Sequence, residues 1–359
     1  MKGPFSLLAG HEQVVYGSDP LSGLRCIVAI YSTALGPALG GTRFYPYPTE
    51  EAALVDVLRL SKAMAYKAAC AGLDLGGGKA VILGDPGHDK SESLLRAYGR
   101  VVESLGGRYV TACDIGTYPA DLTVVRRETR WATGGEHAEG GSGDSGVLTA
   151  YGTYVGMKAC VERVFGSDAP GIRHVAIQGV GKVGRRLAAH LREDGARLTV
   201  ADVDEGATAW CAEHLGAEVV PPDKIHAVDA DVFSPNALGG VIDDANLPEL
   251  QCKIVAGGAN NQLLEDRHGE ELATAGILYA PDYVINAGGL IQVADELRPG
   301  GYRPERARAR VDRIADRLRE VFAVADERGV ATSRAADAVA EQRMAAVGRL
   351  RGFWLPDRG

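Results

Sequence analysis

Residues 175–202 read VAIQGVGKVGRRLAAHLREDGARLTVAD, and the fold is decided here. Val175-Ala176-Ile177 is a short apolar run of strand type, and Val183, Leu187, Ala188 and Leu191 recur at helical spacing. Between them lie Gly179, Val180, Gly181, Lys182, Val183 and Gly184, and a second apolar run, Leu198 to Ala201, ends at Asp202. A GxGxxG alone says little. Set between a strand and a helix, with an acid about 20 residues further on, it is the fingerprint of a dinucleotide-binding βαβ unit. Gly179 permits the tight turn, Gly181 lets a pyrophosphate approach the helix N-terminus, and Gly184 lets the helix pack close to the strand. Asp202 would accept hydrogen bonds from ribose hydroxyls and repel a 2′-phosphate, which favours NAD over NADP.

Later strand ends extend the same sheet: Val232 to Pro235, and Ile254 to Ala256 running into Gly257-Gly258-Ala259-Asn260-Asn261. Ligands bind outside the carboxyl ends of such strands, so Asn236 and Asn260 are candidate contacts to cofactor or substrate. Asn261 reads as a turn residue that tolerates left-handed geometry.

Two lysines stand out upstream. Ala53, Val57, Leu60 and Met64 recur at helical spacing, and continuing it lands on Lys67, so the ammonium is expected on a buried face. Lys79 follows Gly76-Gly77-Gly78 and precedes Ala80 to Leu83, which reads as a short buried strand entered through a glycine turn that a ligand could approach. Buried amines survive by pairing with an anion or by losing their charge, and both suit a site that binds a carboxylate and moves protons. A phosphate loop of GxxxxGK[ST] type is excluded by register, since Gly78 takes the lysine position and Ala80 brings no hydroxyl.

The first third alternates strands (24–31, 79–83, 109–113) with helices (49–70, 91–105, 120–127), an α/β pattern. Residues 133–146, TGGEHAEGGSGDSG, have the composition of a flexible connector. A helix over 147–164 follows, and a second α/β alternation begins at Arg173; 304–327 and 333–350 read as helices. At 359 residues, two domains are expected: 1–140, rejoined by a C-terminal helix at 330–359, and 141–329 as a doubly wound Rossmann-type domain.

The chain is 46% hydrophobic and 24% charged with a net charge of −8, which offers no electrostatic reason to bind nucleic acid or an anionic membrane. The first ten residues are too weak for a signal peptide. Six scattered cysteines form no metal-ligand pattern, so reduced thiols, a cytoplasmic setting and no metal are expected.

The segments GPALGGTR (36–43), MAYKAACAGLDLGGGKA (64–80), YVTACDIGT (109–117), GVGKVG (179–184), GGANNQL (257–263) and ILYAPDYVINAGG (277–289) resemble the amino-acid dehydrogenases that group the glutamate, leucine, phenylalanine and valine enzymes. The likeness runs from about Glu12 to Arg343 and is strongest to the bacterial valine and leucine types, in GPALGGTRFYPY and LIQVADEL. It implies that Lys67 binds the substrate α-carboxylate, that Lys79 is the catalytic lysine and that Asp114 works with it. It also implies that Ser145 and Thr149 lie near the nicotinamide, and that Asn260 and Asn286 are cofactor- or substrate-proximal amides. Leu39, next to Gly40, stands where the glutamate enzymes carry a lysine, and Val293 stands where they carry a hydroxyl residue. Two hydrocarbons would strand a second carboxylate, so glutamate is disfavoured and an aliphatic side chain expected. Ala68 and Asn236 depart from the family pattern.

The resemblance implies reversible, NAD-dependent oxidative deamination of valine, leucine or isoleucine to the 2-oxo acid and ammonium, by a homo-oligomer. In that reaction Lys79 is the base that activates water, with desolvation and the like charge of Lys67 favouring its neutral form. Asp114 shuttles protons, and the domains close about the glycine connector. A phenylalanine or tryptophan dehydrogenase, or a silent NAD-binding regulator, are the alternatives.

Overall fold

The structure, a computed structural model, describes residues 8, 10–166 and 173–351. Most of the segment read for a signal peptide and the end of the 330–359 helix lie outside the described residues. The chain forms two compact units, one of residues 1–144, 292–303 and 340–359, the other of 145–291 and 304–339. The sequence reading kept 141–329 together. Gln292–Arg303 instead belongs with the first unit, where Glu296 accepts from the backbone N–H groups of Gly134 and Ser142.

The first unit is built on strands β1 (Gln13–Asp19), β2 (Leu24–Ser32), β3 (Ala38–Tyr45), β4 (Gly76–Leu83) and β5 (Tyr109–Cys113), in the order β1-β2-β4-β3-β5. β3 is parallel to both β4 and β5, and the other pairings are antiparallel. Helix α1 (Glu50–Cys70) starts where the Thr49 side chain accepts from the Ala52 N–H, carries Glu50 and Glu51 in its first turn and ends with Lys67 in its last, as the helix dipole favours. Helices α2 (Glu92–Ser104) and α3 (Pro119–Val125) cover the opposite side, where Tyr98, Val102 and Leu122 join the main core.

The glycines before Lys79 are not a turn. Gly76, Gly77 and Gly78 are the first residues of β4, none at positive φ, and protein atoms fill the space their side chains would take. A Cβ at Gly77 would lie 2.1 Å from the Ala65 nitrogen, so this glycine lets α1 pack directly on β4. The buried face of α1 consequently runs through Ala53, Val57, Leu58, Ser61 and Ala65, while Leu60, Met64 and Lys67 are half-buried at its margin.

Among its described residues the second unit has six parallel strands: β6 (His174–Gln178), β7 (Arg197–Ala201), β8 (Glu218–Val219), β9 (Val232–Pro235), β10 (Ile254–Val255) and β11 (Leu278–Tyr279). Their order is β11-β10-β9-β6-β7-β8. The order reverses between β6 and β9, the switch point of a doubly wound sheet. Helices α4 (Gly146–Phe165), α5 (Lys182–Glu193), α6 (Glu205–Leu215) and α7 (Arg267–Thr274) follow in sequence. After them come α8 (Asp282–Ile285), α9 (Gly288–Asp295), α10 (Pro304–Val311), α11 (Ile314–Arg328) and α12 (Thr332–Arg351). The single helix expected over 304–327 is two, separated where the Arg313 N–H tightens onto Arg310. No described helix is long and apolar enough to cross a membrane.

Gly77→Ala should destabilise the protein by at least about 1–3 kcal/mol, because backbone cannot yield to a methyl group there. Gly181→Ala, where a Cβ meets no atom within 4 Å, should leave the urea midpoint near that of the wild type.

Candidate active site

Strand order assembles the chemistry of the first unit. Lys79 on β4 and Asp114 at the end of β5 flank β3, and the β3/β4 register sets Gly41 beside Lys79. A side chain at Gly41 would put its Cβ 2.3 Å from the Cys113 carbonyl oxygen and 2.9 Å from the Asp114 Cβ. Its absence lets Lys79 reach across β3, where Nζ donates to Asp114 Oδ2 at 2.9 Å. Lys79 is 5% exposed, and Asp114 is the anion that buried charge requires. The charged group in contact with Lys79 Nζ is thus a carboxylate.

Arg43 stands two residues beyond Gly41 on the same face of β3. Its Nε donates to the same Asp114 Oδ2 at 3.1 Å and its Nη1 to Asp56 Oδ2 on α1 at 2.8 Å. Tyr47 donates its hydroxyl to Asp56 Oδ2 at 2.6 Å, and Arg59 approaches the other oxygen at 3.4 Å. Burial pushes the Asp114 carboxyl up, but the charges of Lys79 and Arg43 outweigh it and hold the group below the usual carboxylate range. Burial alone would depress the Arg43 guanidinium; Asp114 and Asp56 reverse that and raise it. The Asp114 backbone N–H donates to Thr117 Oγ1, and Thr117 donates to the Thr42 carbonyl, which fixes the turn after β5. Sequence pattern assigns no role to Arg43, although its i, i+2 spacing from Gly41 puts both on one face of a strand.

Leu39 lies in register with Gly77 on β3 and is 1% exposed. Its neighbour Gly40 is packed too, since a Cβ there would meet the Gly78 carbonyl oxygen at 1.7 Å. Val293 is buried at 8% exposure near Gly134. The stretch read as a flexible connector is held by hydrogen bonds: Glu296 accepts from Gly134 and Ser142, and Gln292 donates to the Ser142 carbonyl at 2.7 Å. Side chains from α9 and the segment after it satisfy the glycine-rich backbone, a tertiary effect that composition does not reveal.

In the second unit the GVGKVG loop has the geometry its glycines suggested. Gly179 has φ +88°, a Cβ at Gly184 would lie 1.9 Å from the Gly179 carbonyl oxygen, and Gly181 caps α5 facing open space. Val180 is buried, Val183 half-buried and Lys182 exposed. Asp202 Oδ2 accepts from the Val180 N–H at 2.7 Å and Oδ1 from the Asp204 N–H at 3.0 Å, so the carboxylate sits at the loop with lone pairs to spare. An uncrowded Gly181 at a helix N-terminus, next to an acid at a strand end, fits a dinucleotide.

Asn236 is a brace. It donates to the Ser234 carbonyl and accepts from the Gly258 N–H at 2.8 Å, tying the loops after β9 and β10 together. Asn286 is buried and donates to Asn260 Oδ1 at 2.9 Å, while its own Oδ1 has no hydrogen-bond partner among the described residues. Asn261 has φ +52°, the left-handed geometry expected of it. Ser145 is exposed just before α4, and Thr149 Oγ1 donates back to its carbonyl at 3.0 Å. The six cysteines are free thiols. One set of described groups, Asp244, His268 and Glu271, is close enough to hold a cation, but Arg267 already pairs with both acids there.

A parallel sheet with a dinucleotide loop in one unit, and a buried lysine–carboxylate pair in the other, define a dehydrogenase. Residues 11–131 match the family model described as the Glu/Leu/Phe/Val dehydrogenase dimerisation domain, and residues 200–352 match that of the glutamate/leucine/phenylalanine/valine dehydrogenases. The chain is 54% identical to a valine dehydrogenase of Streptomyces virginiae (93% of this chain, 94% of the relative). It is 49% identical to a leucine dehydrogenase of Geobacillus stearothermophilus (96% and 94%). Among solved structures it is similar to the L-tryptophan dehydrogenase of Nostoc punctiforme, with a TM-score of 0.82 and 43% identity over 94% of this chain and 97% of that one. It is also similar to a hetero-hexameric glutamate dehydrogenase of Thermus thermophilus, with a TM-score of 0.79 and 26% identity over 98% and 93%. The chain belongs to the glutamate/leucine/phenylalanine/valine dehydrogenase family and is an amino-acid dehydrogenase.

Because the folded pKa of Asp114 lies below its unfolded value of about 3.9, the group contributes stability above that pH and loses it as pH falls through the lowered value. Asp114→Asn should therefore melt below the wild type at neutral pH, by an amount equivalent to about 3–5 kcal/mol for a broken buried pair. The gap should narrow on acidification, which thermal melts across the acid range will show.

Proposed function

We propose that this enzyme oxidatively deaminates a small aliphatic L-amino acid, valine, leucine or isoleucine, with NAD, giving the 2-oxo acid, ammonium and NADH. The observation that carries the reading is the buried Lys79–Asp114 pair, together with apolar Leu39 and Val293 in the same unit. The names of the valine and leucine dehydrogenase relatives support the substrate class. The likeness to a tryptophan dehydrogenase keeps an aromatic substrate as the second reading.

Gly179 to Gly184 would hold the cofactor pyrophosphate at the N-terminus of α5, Asp202 the adenosine ribose, and Ser145, Thr149, Asn260 and Asn286 the neighbourhood of the nicotinamide and substrate. When bound, the cofactor supplies the acceptor for the hydride that leaves the substrate Cα. Lys67 pairs with the α-carboxylate. As the Cα–H bond breaks, the deprotonated amine donates its lone pair into a C=N bond, leaving an iminium. Lys79, as a free amine, takes a proton from water while the water oxygen bonds to Cα. Protonated Lys79 returns a proton to the carbinolamine nitrogen and then takes the hydroxyl proton; as the C=O bond of the 2-oxo acid forms, the C–N electron pair leaves with ammonia, which is protonated to ammonium in water.

Asp114, held ionised by Lys79 and Arg43, acts chiefly as an electrostatic partner of the iminium and of protonated Lys79. Proton transfer to water and ammonia then falls mainly to Lys79, a narrower part for Asp114 than the shuttle expected of it. The cytoplasm and a homo-oligomer complete the proposal: the cysteines are free, and one matched family model is described as a dimerisation domain.

The test is NADH formation from NAD and a panel of aliphatic, aromatic and acidic amino acids at alkaline pH. The aliphatic set should lead in kcat/KM, and glutamate should be poor. Lys79→Ala should bind NADH as the wild type does and lose at least about 1000-fold in kcat; a loss under about tenfold would remove Lys79 as the base.

Asp202→Ala should weaken NAD binding while raising the ratio of NADP to NAD efficiency, since it removes both the ribose acceptor and the charge that repels a 2′-phosphate. It also removes the acceptor of the Val180 N–H, so NADP should gain in relative terms only. An unchanged cofactor ratio in steady-state kinetics would place the ribose contact elsewhere.

A further inference from the structure

Asp114 has two oxygens, and the structure treats them differently. Oδ2 takes both Lys79 Nζ at 2.9 Å and Arg43 Nε at 3.1 Å, whereas Oδ1 has no hydrogen bond among the described residues, although the side chain is only 24% exposed. Arg43 is itself held from behind. Its Nη1 donates to Asp56 on α1 at 2.8 Å, and Asp56 is fixed in turn by the Tyr47 hydroxyl at 2.6 Å. A guanidinium can bind two carboxylates at once with a defined angle between them, and a lysine ammonium on a flexible stem cannot impose that angle.

We propose that Arg43 is a positioning residue for the reaction: braced by Asp56 and Tyr47, it pins Asp114 through Oδ2 beside Lys79 and keeps Oδ1 turned toward the substrate nitrogen. This rests on the deamination reading, because it assigns Oδ1 to the nitrogen that becomes positively charged. The geometry supplies a reason for the bracing. A carboxylate held by Lys79 alone could swivel about that one contact and swap its oxygens. Bound by Lys79 from β4 and Arg43 from β3, it has one orientation. Arg43 does not touch the reacting atoms, so its contribution should appear in turnover more than in substrate binding.

The ionisable groups around Asp114 are Arg43 and Tyr47 on and after β3, Asp56 and Arg59 on α1, Lys79 on β4, and Tyr109 and Cys113 on β5. Burial and Asp56 push the Tyr47 phenol up, and burial pushes Cys113 up to about 12 and Tyr109 up to about 12, so these three stay neutral in any working range. The acid limb of activity that depends on an ionised Asp114 is therefore governed by Lys79 and Arg43, and removing Arg43 should move that limb to higher pH.

The experiment compares the full-length wild type with Arg43→Gln, Arg43→Lys and the milder Asp56→Asn, using valine and NAD. Kinetics, NADH binding by fluorescence and crystal structures of the variants are the readouts. Arg43→Gln should lose about 100-fold or more in kcat, with the valine KM within about threefold and NADH binding unchanged. Its log kcat/KM profile should shift up in pH, and its crystal structure should show the Asp114 carboxylate rotated. Arg43→Lys should recover only part of kcat, and Asp56→Asn should fall between the wild type and Arg43→Gln. A folded Arg43→Gln with kcat within threefold of the wild type, or with Asp114 unmoved, would overturn the proposal. If Arg43→Gln does not fold, a wild-type kcat and pH profile in Asp56→Asn and Arg43→Lys would overturn it equally. A wild type silent toward every amino acid would sink the deamination reading, and the orientation of Asp114 in the variants would still decide the part played by Arg43.

Discussion

A lysine ammonium in the interior of a sheet is a large electrostatic cost, and the first unit is arranged around meeting it. Lys79 sits on β4 where water scarcely reaches, so a carboxylate has to come to it. It comes from the end of β5, two strands away, with β3 between. A side chain on β3 at that level would block the path, and Gly41 removes it. The same strand then supplies Arg43, a second largely buried cation on the same oxygen, which Asp56 also pairs. Each solution creates the next requirement: Lys79 needs Asp114, two cations on one oxygen need a second anion, and Asp56 is set by Tyr47 and Arg59 from α1 and the turn before it.

The second unit solves a different problem, that of leaving backbone N–H groups exposed without destabilising the fold. Gly181 faces open space at the start of α5, while its neighbours are tightly used: Gly179 is left-handed, and Gly184 brings the helix against the strand. Asp202 does structural work before any ligand arrives, because it accepts from Val180 within the loop. Asn236 and Gly258 then lock the two loops on the other side of the switch point. The loop is therefore preorganised by the protein, and ordering entropy need not be lost when a ligand binds.

How much of this the sequence disclosed follows from how local each feature is. The glycine loop was legible because strand, turn, helix and acid all lie within 28 residues and each obeys a rule of its own. Lys79 and Asp114 were legible as residue types in marked surroundings, but their meeting depends on the order β4-β3-β5, which no local pattern carries. Gly76–Gly78 were misread as a turn for the same reason: a glycine needed for positive φ and a glycine needed for close packing look identical in sequence, and only the contact of α1 with β4 separates them. Residues 133–146 look flexible by composition, yet Glu296 and Gln292, about 150 residues away, satisfy that backbone.

The charges on the catalytic face also bear on why a second lysine is needed at all. Lys79 and Arg43 are paired with Asp114 and Asp56, with the largely exposed Arg59 on the far oxygen of Asp56, so the buried cations of this set are already engaged. In the proposed reaction the substrate brings one negative charge that never changes and a nitrogen that turns positive as the hydride leaves. The fixed charge needs a partner of its own, and the proposed reaction assigns it to Lys67, half-buried in the last turn of α1. The transient charge needs an anion already oriented, which the Asp114 carboxylate, with Oδ2 committed to Lys79 and Arg43, would provide in the proposed arrangement. Were the two tasks divided between Lys67 and the Asp114 assembly, as proposed, substrate binding and stabilisation of the iminium could be tuned independently, and only the second would gain strength in the transition state.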